Sequence, residues 1–127
     1  MDASAPITVL LADDDDLYLA SLRELVDRQP ELCVVGEAPD GLRAIELADE
    51  LAPDAAVIDI HMPLLDGVTT VARLRRDHPS LCLIALTGDE APELHRAARE
   101  SGADDVLLKS ALVEALFDRL TAARATA

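Results

Sequence analysis

The stretch LLADDDDLYL, residues 10–19, sets four consecutive aspartates, Asp13 to Asp16, directly behind an apolar run. Adjacent like charges repel, and a solvated loop has no need of such a concentration. The run therefore reads as a buried strand that stops where acid is displayed for a purpose.

Four further apolar runs echo the first. ITVLLA (7–12) is followed by LCVVG (32–36), AAVIDI (55–60), LCLIAL (81–86) and DVLLK (105–109). Each is continuous rather than alternating, the pattern of a strand covered on both faces in a parallel sheet. Helical spacing fills the intervals. It is carried by Tyr18, Leu22, Leu25 and Val26, then by Leu42, Ile45, Ala48 and Ala52, then by Val71 and Leu74. Leu94, Ala97, Ala98 and Ser101 mark the fourth helix, and Val113, Leu116, Phe117 and Leu120 the fifth. Punctuation agrees: Pro30 and Pro53 follow the first two helices, Asp66 and Gly67 open the third, and Pro79 ends it. Gly102 caps the fourth, and Ser110 is suited to cap the start of the fifth. The chain is thus α/β, a (βα)5 repeat implying a parallel sheet with helices on both faces and right-handed crossovers.

At 127 residues this is one domain with a single full core. No apolar window reaches membrane-spanning length, and MDASAP has neither the basic nor the apolar region of a secretory signal. Cys33 and Cys82 lie within apolar runs and read as buried thiols, which favours the cytoplasm. With 25 acidic and 11 basic residues the net charge is −14. Nucleic acid repels such a surface, so direct binding to it is not expected.

In an open α/β sheet, ligands bind beyond the carboxyl ends of the strands. Asp13, Asp14 and Asp15 stand at the end of the first run, Asp59 near the end of the third, Thr87 and Gly88 after the fourth, and Lys109 at the end of the fifth. Parallel strands would gather three of these four carboxylates, a hydroxyl and an ammonium on one edge. Carboxylates about 5 Å apart repel by about 3 kcal/mol per pair at an effective dielectric of 20. A divalent cation relieves that, and hard oxygen donors suit Mg²⁺. One carboxylate would then serve as nucleophile towards a phosphoryl group, in a transfer that depends on positioning and charge neutralisation.

These pieces together resemble the receiver domain of two-component response regulators. The resemblance covers about residues 6–122 and leaves 123–127 as a tail or linker. It rests on the acid pair after the first strand, IDIHMPLLDG around Asp59, ALTGD around Thr87, and GADDVLLK ending at Lys109. The opening LLADDDD and the segment GEAPDGLRAIELA are most similar to receivers that precede a helix-turn-helix output domain.

The resemblance implies a flavodoxin-like receiver fold with strand order 2-1-3-4-5. It implies Asp59 as phosphoacceptor, Thr87 as the switch hydroxyl and Lys109 as the phosphate-binding ammonium. For Mg²⁺ it implies Asp14, Asp59 and the backbone carbonyl of His61 as direct ligands, with Asp13 acting through water. Met62, Pro63, Asp66 and Gly67 match the loop into the third helix. The implied partners are a sensor histidine kinase and, on phosphorylation, a second copy of the chain. The implied role is a switch feeding transcription regulation, not a metabolite-converting enzyme.

Three departures qualify the match. Ser110 stands where the family has proline, which weakens the expectation of a cis bond after Lys109. Val106 stands where many members carry a switch aromatic. Asp15 and Asp16 read as helix-opening acids favoured by the dipole, not as ligands. A haloacid-dehalogenase-type phosphatase would set its nucleophile at Asp13 and a second acid at Asp15, but Leu17 does not supply the following Thr or Val. A calcium loop wants a central glycine that DDDDLYLASL lacks. A pseudo-receiver with a dead site would miss an essential residue, and none is missing. His78 and His95 read as surface residues, His61 as pointing its ring towards the phosphoryl site, and Tyr18 and Phe117 as core or helix-face residues.

Overall fold

The computed structural model describes residues 5–62, 65–88, 91–109 and 118–121. Its elements run β1 (Ile7–Ala12), α1 (Asp16–Asp27), β2 (Leu32–Ala38), α2 (Gly41–Leu51), β3 (Ala55–Asp59), α3 (Gly67–Asp77), β4 (Cys82–Thr87), α4 (Pro92–Ser101) and β5 (Asp105–Leu108). Residues 118–121 are helical as well. The rest of the fifth helix expected from Val113 to Phe117, its cap Ser110 and the bond between Lys109 and Ser110 lie outside the described residues.

All strand pairings are parallel, in the expected order β2-β1-β3-β4-β5. The continuous apolar runs are explained by burial on both sides. Leu10 and Ala12 of β1, Ala56 and Ile58 of β3, and Leu83 and Ala85 of β4 face a cluster shared with α2, α3 and Ala98 of α4. Their neighbours Ile7, Val9, Leu11, Ala55, Val57, Ile84 and Leu86 face the other cluster, with Leu19, Leu22, Val26 and Leu120. The two-residue period of a strand thus feeds two cores from one sheet.

Boundaries differ from expectation by one or two residues. β2 runs on to Ala38 because its register with β1 shifts between Val9 and Leu10, and the Asp13 amide then donates to Ala38 O at 3.0 Å. β4 begins and ends one residue later than read, which puts Thr87 in the ladder opposite Leu108. Helical spacing placed Leu42 and Ala52 on the core face, and neither is there. Gly41 is buried so closely that a Cβ would lie 2.2 Å from Thr70 Oγ1 and 2.6 Å from Leu65 O. That approach turns Ala44, Ile45, Leu47 and Ala48 inward and leaves Leu42 48% exposed. Ala52 is the left-handed cap of α2, at φ 46°.

Aspartate side chains start three helices. Asp15 accepts from the amides of Leu17 and Tyr18, Asp40 from Arg43, and Asp66 from Thr69. Arg75 of α3 braces two loops, donating to the carbonyls of Gly102, Pro79 and Leu81 and to Asp104. Cys33 and Cys82 are free thiols, half-buried rather than buried, and burial pushes the Cys82 thiol up to about 11.

Candidate functional site

β3 is the middle strand, and its last residue is Asp59. β1 and β4 flank it, so the residues following β1 and ending β4 necessarily meet Asp59 at the same edge. Strand order therefore assembles what the sequence scatters over nearly a hundred residues.

Asp13, Asp14 and Asp59 each present a carboxylate oxygen, and these oxygens lie within 4.8 Å of one another. Asp13 and Asp59 are buried, whereas Asp14 is exposed. Both oxygens of Asp13 have donors: Oδ1 accepts from the Asp15 amide at 2.9 Å and Oδ2 from Lys109 Nζ at 2.8 Å. Asp59 Oδ1 accepts from the His61 amide at 3.0 Å, and Lys109 Nζ reaches its Oδ2 at 3.3 Å. Behind Asp59 the chain turns tightly into α3. A Cβ on Gly67 would lie 2.1 Å from Ile60 Cα, so only glycine lets the helix start against the strand end.

Burial pushes the Asp59 carboxyl above its ordinary range. The His61 amide pulls it down, the Asp13 charge pushes it up and Lys109 pulls it down, with the upward direction prevailing. Burial likewise works against the Lys109 ammonium. Its hydrogen bond to Asp13 and the charges of Asp59 and Asp13 outweigh that and raise its pKa.

Thr87 is fully buried at the end of β4, its Oγ1 3.4 Å from His61 Nε2. His61 itself is exposed, and its ring, expected to point towards the phosphoryl site, lies beside the Thr87 hydroxyl. Val106 is buried among the α2–α3 cluster, opposite Ala85. Met62 belongs to the same cluster, and Asp66 caps α3. Pro63 lies outside the described residues. Asp15 and Asp16 stand apart from the three carboxylates, as the cap and first residue of α1.

Tyr18 is the residue that sequence reasoning undervalued. Read as a core or helix-face residue, it does pack on the α1 side, but its ring also lies under Lys109, with Nζ 4.4 Å from the centroid. Burial, then the charges of Asp13 and Asp59, push its hydroxyl up to about 12. Its place in the first turn of the helix that leaves the acid run was the available signal.

The donor set fits a divalent cation: three hard carboxylate oxygens converge, and the exposed Asp14 leaves an approach from solvent. Such an edge, with a lysine and a threonine beside a buried carboxylate, can bind and accept a phosphoryl group.

Comparison with known proteins agrees. The family model of the response regulator receiver domain matches residues 9–121. The nitrate/nitrite response regulator protein NarL of Escherichia coli K12 is 34% identical over 125 residues, which cover 98% of this chain and 58% of that protein. Protein-glutamate methylesterase/protein-glutamine glutaminase 2 of Pseudomonas aeruginosa is 36% identical over 108 residues, covering 84% of this chain but only 31% of that one. The response regulator domain of Thermotoga maritima CheB superposes with a TM-score of 0.86 at 29% identity, covering 93% of this chain and 96% of that chain. The chain thus spans a little over half the length of one curated relative and about a third of the other.

Proposed function

This chain belongs to the response regulator receiver domain family, and from that membership we propose that Asp59 is the phosphoacceptor of a Mg²⁺-dependent signalling switch. The observation that carries the proposal is one buried carboxylate, at the end of the middle strand, with two others within 4.8 Å and an ammonium 3.3 Å away.

In the proposed reaction an Asp59 oxygen attacks the phosphorus of a phosphohistidine on a sensor histidine kinase. The P–N bond breaks, its electron pair returns to the imidazole, and a P–O bond forms to give the acyl phosphate. Lys109 and Thr87 are assigned to the phosphoryl oxygens, as donors aimed where charge accumulates. Asp14, Asp59 and the His61 carbonyl would hold Mg²⁺ directly. Asp13 would act through water, a role supported by the donors already on both its oxygens. The ion supplies charge neutralisation between the carboxylates and the incoming phosphoryl oxygens.

We take residues 1–127 as a single cytoplasmic receiver that turns over no metabolite as its output. Its output is assigned to transcription regulation through a DNA-binding domain, by the likeness of LLADDDD and GEAPDGLRAIELA to receivers that precede a helix-turn-helix domain. The net charge of −14 supports an output through protein contacts, with an attached domain or a second copy, not by this surface on DNA. Among the described residues, no helix is long and apolar enough to cross a membrane.

Incubation with acetyl phosphate and Mg²⁺, followed by intact mass measurement, tests the acceptor. One phosphoryl group is expected on the native protein and none on Asp59→Asn. Undiminished labelling of the Asn variant would refute the assignment.

A further inference from the structure

Among the described residues, three groups lie against the charged end of Lys109. Asp13 Oδ2 lies at 2.8 Å, Asp59 Oδ2 at 3.3 Å, and the ring of Tyr18 at 4.4 Å from its centroid. The first two contacts are ionic and belong to the phosphoryl-transfer site. The third is neutral, lies well within cation–π range, and has no part in the reaction as described.

The three contacts respond differently when the site is loaded. Asp13 and Asp59 are also the carboxylates that a divalent cation draws on. Both ionic holds on Lys109 therefore weaken once the cation is bound, before the phosphoryl oxygens have arrived to take the ammonium over. The Lys109 side chain is 25% exposed, so water offers its flexible four-carbon stem an alternative. The Tyr18 face alone keeps its attraction whatever the charge state of the carboxylates.

We propose that the ring face of Tyr18 is a positioning surface for Lys109, retaining the ammonium in the site once Asp13 and Asp59 release it. The proposal deepens the phosphoryl-transfer reading and rests on it. The hydroxyl has no share in this role. It is enclosed and has no hydrogen-bond partner among the described residues, which makes it a burden on the fold, not a device. Phenylalanine should therefore serve as well as tyrosine, whereas leucine should fill the space without attracting the cation.

The test compares the native protein with Tyr18→Phe and Tyr18→Leu by acetyl phosphate labelling rate and by beryllofluoride affinity in the presence of Mg²⁺. Tyr18→Phe should match the native protein. Tyr18→Leu should lose about 2- to 30-fold in both, the span that measured cation–π strengths imply. Mg²⁺ affinity should stay within about twofold, because the ring faces the lysine and not the carboxylates. Proton NMR adds a readout independent of phosphorylation. The Lys109 methylene protons next to Nζ should be shifted upfield by the ring in the native and Phe proteins, and return to ordinary lysine positions in the Leu variant.

A native spectrum with unshifted Lys109 protons overturns the proposal without recourse to any variant, including one that fails to fold. So does Leu labelling at the native rate, Phe falling as far as Leu, or a parallel loss of Mg²⁺ affinity, which would mean general deformation. A native protein that shows the ring shift but takes up no phosphoryl group would instead overturn the phosphoacceptor reading, and the proposal with it.

Discussion

Lys109→Met is the substitution whose consequences the geometry constrains most. Methionine keeps the length of the stem and its packing over Tyr18 but removes the ammonium. At an effective dielectric of 20, the contacts of 2.8 and 3.3 Å to Asp13 and Asp59 correspond to attractions of about 6 and 5 kcal/mol. Desolvation offsets much of that, and breaking a buried pair usually costs about 3–5 kcal/mol. The lysine side chain is 25% exposed, which places the expected loss lower, at about 2–3 kcal/mol in the metal-free protein at neutral pH. The carboxylates left behind, with oxygens up to 4.8 Å apart, still repel by about 3.5 kcal/mol at the same dielectric.

The pH dependence has a definite sign. The Asp59 carboxyl is already raised in the folded state, chiefly by burial, and Lys109 is one of the two influences holding it down. Without Lys109 it rises further. The folded state then keeps a proton that the unfolded chain has released, so stability falls as pH climbs from the ordinary carboxylate range, about 4, through the raised value. The variant should therefore approach the native protein near pH 4 and fall away towards neutrality. Mg²⁺ should restore more stability to the variant than to the native protein, because no ammonium competes for the carboxylates. The chain has no tryptophan, so urea unfolding followed by far-ultraviolet circular dichroism, with EDTA or with Mg²⁺, is the suitable assay. Equal stability of the two proteins at neutral pH in EDTA would refute this electrostatic account.

Two further outcomes are expected. In calorimetric titration, Asp14→Ala should weaken Mg²⁺ binding more than Asp15→Ala or Asp16→Ala, while Asp15→Ala should lose about 1 kcal/mol of stability as the α1 cap. A larger loss of affinity from Asp16→Ala would mean the acid run was read in the wrong register. His61→Ala should alter the dephosphorylation rate and leave Mg²⁺ affinity nearly intact, since the metal is assigned the carbonyl and not the ring. A tenfold fall in that affinity would contradict it.

The strand order and the edge where Asp13, Asp14, Asp59 and Lys109 meet were legible because parallel strands turn sequence spacing into position. Each of the acids stands at a strand end, and the order 2-1-3-4-5 puts those ends side by side. Asp15 and Asp16 were readable as helix-opening acids for a local reason, since a cap depends on two or three residues. What escaped was tertiary in origin. Leu42 fits an apolar stripe, yet the close approach at Gly41 rotates it outward. The Tyr18–Lys109 contact joins residues 91 positions apart, and helical periodicity carries no information about which face of a ring a distant ammonium will occupy. Asp104 and Asp105 resembled part of a motif leading to Lys109. In the structure Asp104 binds Arg75, and Asp105 binds Arg99 and Arg119, so their service is to α3, α4 and the helical residues 118–121.

On the proposed reading, charge explains why the response must involve β4. Three carboxylates and one ammonium give the site −3 + 1 = −2 among these four residues. Phosphorylation exchanges the single charge of Asp59 for the roughly −1.5 to −2 of a phosphoryl group, so the same edge becomes more negative. Lys109 can turn from Asp13 towards it, but it was already counted in the site. Among the described residues, an additional donor at this edge is the Thr87 hydroxyl, set 3.4 Å from the His61 ring. Thr87 is fully buried and is the last residue of β4, paired with Leu108, so it cannot reorient far without carrying Gly88. Val106, β-branched and packed opposite Ala85, has no ring to swing into the space vacated. The signal then passes as a displacement of the Thr87 end of β4, one of two arrangements favoured over the other by the new hydrogen bond. α4 is suited to answer it, because among its residues Ala98 alone is fully buried, and a helix held by so little apolar surface can shift at small free-energy cost.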